Sequence, residues 1–315
     1  MTRRTLLSIA PFALASCNRT TKKQIAVIPM GRSHVYWVSA HAGAVKAARE
    51  ENVDIIWNGP STESDFSGQL QIVENMINQH VDVICLAPID RKALANSVDR
   101  ATTAGIPVFI WDSPVDSKTF VAQIATDNYA AGQLGAQRMG EILHGKGKIV
   151  EVACQPGSAS TMAREQGFED KIKQSFPDIK IVDKRFGMAD VAKSLAVAEN
   201  MLTAFPDLDG MFGSNESSTV GAARALATAK GKVKLVGFDS SPTLIEGLKD
   251  GVIDSLVTQN PFDMGYKVVK AAVSKLQGGT VEHIQNLPAV VVTKANLEEP
   301  AIHARLYPDI DQYLK

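Results

Sequence analysis

From residue 24 onward, short apolar segments alternate with segments of helical length and pattern. The apolar segments, such as residues 24–29, 81–88 and 234–239, are bounded by turn residues, which is typical of strands buried on both faces. Strands that alternate with helices predict βαβ units and parallel sheets. There are too many units for one compact core, so we predict an α/β protein with two sheets.

The amino-acid composition limits the kinds of partner that the protein can bind. The 315 residues are 45% hydrophobic and 21% charged, with a formal net charge of -1. This is an ordinary globular composition, long enough for two domains. No large basic excess is available to hold nucleic acid, so we expect no nucleic-acid partner.

The first 17 residues have the pattern of a targeting segment. Arg3 and Arg4 precede a mostly apolar stretch, residues 5–13, which ends in the sequence LASC at Cys17. This pattern predicts a secretory signal peptide that is too short to span a bilayer, and LASC resembles the bacterial lipobox, in which the cysteine is lipidated. We therefore expect an exported protein of the periplasm or cell envelope, anchored by lipid at Cys17, with a polar linker over residues 18–23. The general secretory and twin-arginine export routes both stay open.

The chain contains no familiar catalytic or metal-binding signature. Cys85 and Cys154 lie in apolar strand-like runs, where a buried free thiol is the default, and the six histidines are scattered without metal spacing. Phosphate-loop, dinucleotide-binding, nucleophile-elbow and zinc-protease motifs are absent from the sequence. We predict a protein that is not an enzyme and needs no cofactor or metal.

Two segments echo each other, IPVFIWDSP at residues 106–114 and VKLVGFDSSP at residues 233–242. In each, an apolar strand runs into an aspartate, Asp112 or Asp239, followed by serine and proline. Ser241 and Pro242 predict the N-cap and first position of a helix. The two acids then lie at carboxyl ends of strands, where open α/β sheets bind ligands. On position alone, they serve equally well as turn or capping residues.

Several motifs, in this order and spacing, resemble the periplasmic sugar-binding proteins of ABC transporters, type I, close to the ribose-binding kind. The segments that carry the resemblance are IAVIPM, VDVICLAPIDRKAL, AGIPVFIWDS, IATDNYAAG, AREQGF, PDLDGMFGSNESSTVGAARAL, VKLVGFDSSP and LVTQNPFDMGYKVV. The resemblance covers residues 23–294. It implies two Rossmann-like lobes joined by a three-stranded hinge, with crossings near Thr126, Gln259 and Leu287. Lobe one would comprise residues 24–126 plus 260–287, and lobe two residues 127–259 plus 288–315.

The resemblance also implies a site for a sugar or polyol in the cleft between the lobes. Hydroxyl groups both donate and accept, so carboxylates, a guanidinium and amides suit them, while aromatic faces cover the C–H surface. The matching positions are Ser33 and His34 in the first loop, Tyr36 or Trp37 as stacking walls, and Asp112, Arg164, Asn215, Asp239 and Gln259.

Each of these residues also has a purely structural interpretation. Asn215 would cap a helix, Arg164 would be a solvated helix residue, Gln259 would support the hinge, and His34 or Trp37 would belong to the core. Two buried carboxylates need a compensating cation, and Arg164 is the best candidate in the sequence.

Two departures from the ribose-type pattern bear on the ligand. Ser113 stands where that pattern has an arginine directly after the first aspartate, and Met188 stands near a common aromatic wall. We therefore expect a hexose or a cyclic polyol rather than ribose.

The functional hypothesis is a monomeric, non-enzymatic binding protein whose lobes close on the ligand and present it to an ABC-type permease. A receptor of the same fold that senses a sugar or another signal is the alternative. A LacI-type regulator would need an N-terminal helix-turn-helix of about sixty residues, where this chain has a signal-like segment. A glycosidase would rest only on the pair Asp112 and Asp239.

Overall fold

The computed structural model of the chain describes residues 22–227 and 232–315. The predicted signal peptide, including the lipidation site Cys17, lies outside the described residues. Within the described ranges, no helix is both long enough and apolar enough to cross a membrane.

The elements follow the predicted alternation of strands and helices. In chain order they are β1 (Gln24–Ile28), α1 (Val35–Glu51), β2 (Asp54–Trp57), α2 (Phe66–Asn78), β3 (Val83–Leu86), α3 (Ala95–Thr103), β4 (Val108–Trp111), β5 (Ala122–Thr126), α4 (Asn128–Ile142), β6 (Lys146–Ala153), α5 (Ala159–Ser175), β7 (Asp178–Phe186), α6 (Val191–Ala204), β8 (Gly210–Gly213), α7 (Glu216–Leu226), β9 (Lys234–Phe238), α8 (Pro242–Lys249), β10 (Ser255–Thr258), α9 (Pro261–Leu276), β11 (Ile284–Leu287), β12 (Val290–Thr293), α10 (Pro300–Leu306) and α11 (Asp311–Leu314).

The strands form two six-stranded sheets, which confirms the predicted fold class. The first sheet has the order β11-β5-β4-β3-β1-β2, and the second has the order β12-β10-β9-β8-β6-β7. The pairs within them are parallel except for β12, which runs antiparallel to β10. Each sheet is covered by helices, and its central strands, β1, β3 and β4 in the first sheet and β8, β9 and β10 in the second, are almost entirely buried.

The chain passes between the two sheets three times: after β5, after β10 and between β11 and β12. Hydrogen bonds tie these crossings together. The Thr126 hydroxyl donates to the Gln259 side-chain oxygen over 2.7 Å, and the Asp127 amide donates to the Leu287 carbonyl over 3.0 Å. The crossings therefore form a narrow hinge beside the interface between the sheets.

The C-terminal segment, which was not predicted to be helical, contacts both halves of the molecule. Leu306 at the end of α10 packs into the core beneath the second sheet. The last helix, α11, instead lies against α1, where the Arg49 guanidinium donates to the carbonyls of Gln312 and Tyr313. The predicted division into two lobes at residue 288 stays a prediction, and this segment belongs physically to both sides.

Each half contains a closely packed helix pair whose glycines allow backbone contact. A Cβ added at Gly43 in α1 would lie 1.9 Å from the Phe262 carbonyl oxygen of α9. A Cβ at Gly132 in α4 would lie 1.9 Å from the Arg164 carbonyl oxygen of α5. Only glycine permits this approach, so the two pairs are held at fixed positions against their sheets.

Candidate functional site

The two strand-end acids occupy equivalent places in the two sheets. Asp112 follows β4 and Asp239 follows β9, and both adopt left-handed backbone conformations, with φ of 63° and 69°. The Asp112 amide donates to the carbonyl of Ile124 on the neighbouring strand, and the Asp239 amide donates in the same way to Val257. Positive φ is unfavourable for most residues, and aspartate is among those that tolerate it best. Such local strain is concentrated at functional sites, and here it aims both carboxylates at one space.

That space, which we call the inner cavity, is about 360 Å³ and lies between the sheets at the carboxyl ends of the strands. It is lined by Met30, His34, Tyr36, Trp37, Glu63, Asp112, Ser158, Ser160, Thr161, Arg164, Asn215, Glu216, Asp239 and Gln259.

Asp112 is positioned by an aromatic residue of α1. The Tyr36 hydroxyl donates to Asp112 Oδ1 over 2.5 Å, and both side chains are buried. No hydrogen bond among the described residues uses Asp112 Oδ2, which leaves this oxygen available to a ligand. Burial raises the pKa of Asp112 to about 6, although Tyr36 and Arg164 oppose the shift.

Asp239 connects the inner cavity to the hinge. The Gln259 amide nitrogen donates to Asp239 Oδ1 over 2.7 Å, while the oxygen of the same amide accepts from Thr126. Asp239 Oδ2 accepts from the backbone amide of Glu216, the first residue of α7, over 3.0 Å. Asp239 does not cap α8, because Ser241 does so with Pro242 at the first position, as the sequence predicted. Gln259 is thus both a hinge residue and a cavity residue.

Arg164 is a buried cation, 3% exposed, that the second half of the chain supplies from α5. Its Nε donates to Asn128 Oδ1 over 2.8 Å, and its Nη1 donates to the Ser214 carbonyl over 3.1 Å. The guanidinium stacks 4.0 Å from the ring centre of Phe238 and lies 3.9 Å from Asp239 Oδ2. These contacts hold its plane fixed at the cavity wall, which suits directional hydrogen bonding. The interpretation of Arg164 as a solvated helix residue is wrong.

The side of the inner cavity nearest the first loop carries two acids that the sequence analysis missed. The Trp37 indole nitrogen donates to Glu63 Oε1 over 2.6 Å. His34 lies between Glu63 and Glu216, with ring nitrogens 3.6 Å and 3.9 Å from their carboxylates. Burial, with Asp239 nearby, raises the pKa of Glu216 to about 7, although His34 opposes the shift.

The sequence around Glu63 and Glu216 contains a pattern that could have identified both acids as site residues. Glu63 lies in the loop that follows β2, and Glu216 directly follows Asn215 at the end of β8. The rule that singled out Asp112, a polar residue after the carboxyl end of a strand, applies to both. The sequence pattern does not show that the β2–α2 loop extends across the cleft, because the position of this loop depends on tertiary packing.

The remaining predicted residues divide into two groups. Asn215 lines the inner cavity, and its carboxamide oxygen caps α7 by accepting from the Ser218 amide, so the capping role is confirmed and the ligand-binding role stays a prediction. Ser33 lies apart from the inner cavity, on the exposed wall of a larger outer cavity of about 1640 Å³ that opens beside His34. Met188 lies on the same outer wall. Ser113 contacts the opposite half of the protein, where its hydroxyl accepts from the Ser160 amide.

Direct contacts join the two halves around the inner cavity. The Gln155 amide nitrogen donates to the Glu63 carbonyl over 2.7 Å, and the Arg91 backbone amide donates to the Gly157 carbonyl over 3.1 Å. The Ser160–Ser113 bond closes the same edge. The described arrangement is therefore one in which the cleft between the sheets is shut.

The fold and the site together match a known family. The family model for the periplasmic binding protein domain matches residues 25–280. The chain belongs to this periplasmic binding protein family. Within the described residues of this family member, no group of three or more His, Cys, Asp or Glu side chains is arranged to hold a metal ion.

Curated relatives match the chain over nearly their full length. The D-ribose/D-allose-binding protein of Pseudomonas aeruginosa is 31% identical, with 88% of this chain and 89% of the relative covered. The ribose import binding protein of Bacillus subtilis is 26% identical, with 92% and 97% covered.

Solved structures agree with this periplasmic binding protein in fold and length. A carbohydrate transporter solute-binding protein from Agrobacterium radiobacter, solved with D-arabinose, has a TM-score of 0.89 and 32% identity over 91% of this chain and 99% of its own. An ABC transporter solute-binding protein from Agrobacterium vitis, solved with D-fucose, has a TM-score of 0.88 and 36% identity over 90% and 100%.

Proposed function

We propose that this protein captures a sugar or polyol between its two lobes and delivers it to an ABC-type permease. The observation that supports the proposal best is the inner cavity. It is bounded by both sheets and lined by aromatic walls and by ionised or amide groups at strand ends. Charge-assisted hydrogen bonds to hydroxyls are about twice as strong as neutral ones, so such a lining suits a polyhydroxylated ligand.

Capture works through the hinge. Asp112, on the first sheet, and Asp239, on the second, approach one ligand only when the lobes are closed. A ligand that contacts both acids therefore favours the closed state by its differential affinity. Gln259 links the Asp239 carboxylate to Thr126, which lies at one of the crossings. A ligand that binds Asp239 is therefore connected to the hinge through two hydrogen bonds. We take residues 24–126 plus 260–287 and residues 127–259 plus 288–315 as the two closing lobes.

The test is a thermal-shift screen with a library of sugars and polyols, followed by calorimetry on the ligands found. The Asp239→Asn variant keeps the side-chain shape and removes the charge, so we expect affinity to fall by about tenfold to a hundredfold. Exposed Asp178→Asn is the matched control and leaves affinity unchanged. If the library gives no stabilising ligand, the function is wrong; if Asp239→Asn binds as the parent does, the site assignment is wrong.

The cellular setting that we propose follows from the N-terminal segment. The protein is exported, anchored by lipid at Cys17 and active as a monomer beside its permease. Radiolabelled palmitate supplied to the producing cells is expected to label the parent chain and not Cys17→Ser. An unlabelled parent that is released freely from the envelope would contradict the anchor and leave ligand capture untouched.

A further inference from the structure

The charges around the inner cavity do not balance. Four carboxylates line it, those of Glu63, Asp112, Glu216 and Asp239, whereas Arg164 supplies the one guanidinium. His34 is the other ionisable base among the described lining residues. Each of the four acids is at least nine-tenths buried. When all four carboxylates are ionised, they exceed the cations by three with His34 neutral and by two with His34 protonated.

Acceptor oxygens in the inner cavity also outnumber their donors. Glu63 Oε1 accepts from Trp37, but no hydrogen bond among the described residues uses Glu63 Oε2. Glu216 Oε2 accepts weakly from the Tyr36 amide, and Glu216 Oε1 has only the His34 ring at 3.9 Å. Together with Asp112 Oδ2, three carboxylate oxygens have no donor among the described residues; none of them is completely buried, so each is accessible to a ligand or to water in the cavity. Burying such acceptors is unfavourable unless something in the cavity satisfies them.

Arg164, the arginine that lines the inner cavity, already has partners away from Glu63 and Glu216. Arg164 donates to Asn128 and Ser214 and lies beside Asp239, so it compensates the charge on that side of the cavity. Glu63 and Glu216 lie on the side of the first loop, where His34 is the nearest base. Lys193 and Arg224 line the outer cavity, but both are exposed, and water and salt screen exposed charges. Burial is the main cause of the raised pKa values of Asp112 and Glu216, and the neighbouring carboxylates of Glu63 and Asp239 add to both shifts.

We propose that the physiological ligand carries a protonated amine as well as hydroxyl groups, as in an amino sugar or an amino polyol. This inference rests on the proposed function and specifies its ligand class. The ammonium lies between Glu63 and Glu216, where its three N–H donors meet the two unpaired carboxylate oxygens and the cavity's surplus negative charge. The hydroxyls lie between Asp112, Arg164 and Asp239.

The experiment compares matched pairs that differ only by an amine in place of a hydroxyl. D-glucosamine and D-glucose, D-galactosamine and D-galactose, and D-mannosamine and D-mannose are titrated into the purified chain by calorimetry at pH 6.5. The N-acetyl sugars serve as neutral amine derivatives. We expect the amine of at least one pair to bind tenfold or more tightly than its hydroxyl partner, and acetylation to abolish the advantage.

Charge-neutral variants of the acids locate the ammonium. Glu63→Gln and Glu216→Gln are each expected to weaken the amine about tenfold and to weaken a neutral sugar much less. Glu199→Gln, on the exposed face of α6, is the control. The unliganded Glu63→Gln and Glu216→Gln proteins are expected to melt above the parent at pH 8, because each removes surplus buried charge. That result also shows that they fold.

The possible outcomes distinguish a failure of this inference from a failure of the proposed function on which it rests. If the neutral member of every pair binds as tightly as the amine, the amine is excluded and sugar capture stands. If the glutamine variants leave the amine's advantage intact, the placement at Glu63 and Glu216 is wrong. If no member of any pair binds, both the inference and the proposed sugar-binding function are contradicted.

Discussion

Glu151 is a buried acid that the ligand site does not use. It lies within β6 with 0% exposure, and neither carboxylate oxygen has a hydrogen-bond partner among the described residues. The nearby Lys184 ammonium instead pairs with Glu165 and Glu169. Burial raises the pKa of Glu151 well above its ordinary value, so the folded protein holds this proton to a higher pH than the unfolded chain does.

This proton makes stability depend on pH. The unfolded chain releases it near pH 4 to 5, whereas the folded protein holds it to a higher pH, so stability falls as pH rises above that range. We expect Glu151→Gln to match the parent at pH 4 and to be measurably more stable than the parent at pH 8. Urea unfolding at both pH values measures the difference, with Glu199→Gln as the exposed control. A gain of equal size at pH 4 and pH 8 contradicts this account.

At the scale of elements, the helix pairs place the binding side chains. Gly132 of α4 touches the backbone of α5 at Arg164, the residue that supplies the buried cation. The spacing of α4 and α5 therefore sets the position of the guanidinium relative to Asp239. The same arrangement in the other half brings α1, with Tyr36 and Trp37, against α9 through Gly43.

A methyl group at Gly132 should therefore harm both stability and binding. In Gly132→Ala the Cβ would lie 1.9 Å from the Arg164 carbonyl oxygen, so α5 must move. We expect a loss of about 1–3 kcal/mol in the free energy of unfolding, together with weaker ligand binding. Gly247→Ala is the control, because its Cβ would meet only the flexible end of Ile253. Denaturant unfolding and calorimetry check both effects; an unchanged affinity in folded Gly132→Ala would show that Arg164 is placed independently of this contact.

At the scale of the whole molecule, closure depends on contacts that no ligand makes. Gln155 of the second half donates to the Glu63 carbonyl of the first, beyond the strand-end acids. Such contacts stabilise the closed arrangement and so raise the apparent affinity by increasing the fraction of binding-competent protein.

Removing this contact should open the protein without removing any side chain that lines the inner cavity. We expect Gln155→Ala to weaken ligand binding about twofold to tenfold, which corresponds to one net hydrogen bond. Small-angle X-ray scattering of the unliganded variant should give a larger radius of gyration than the parent. Gln166→Ala, on the exposed face of α5, is the control and should change neither quantity. A weaker affinity with no change in scattering would place Gln155 in ligand contact instead.

The sequence alone determined the features that depend on short segments. Alternating apolar and helical segments specified two parallel sheets, and the Ser241–Pro242 pair specified the start of α8. The aspartates after two matching strands were expected at one cleft because the carboxyl ends of parallel strands share an edge, and both line the inner cavity. Arg164 was expected as the cation that two buried carboxylates require, and burial beside Asp239 agrees with that reasoning.

Tertiary structure alone decided the features in which distant segments meet. Glu63 enters the cavity because its loop is held from across the cleft by Gln155, a contact between residues 92 positions apart. Ser33 neighbours His34 in sequence, yet the turn before α1 directs Ser33 to the outer cavity. The contact between α11 and α1 likewise joins distant segments, because Arg49 of α1 donates to carbonyls 263 and 264 positions later in the chain. Periodicity and turn chemistry report what a segment does locally, whereas the balance of charge in the cleft depends on which loops the folded chain brings together.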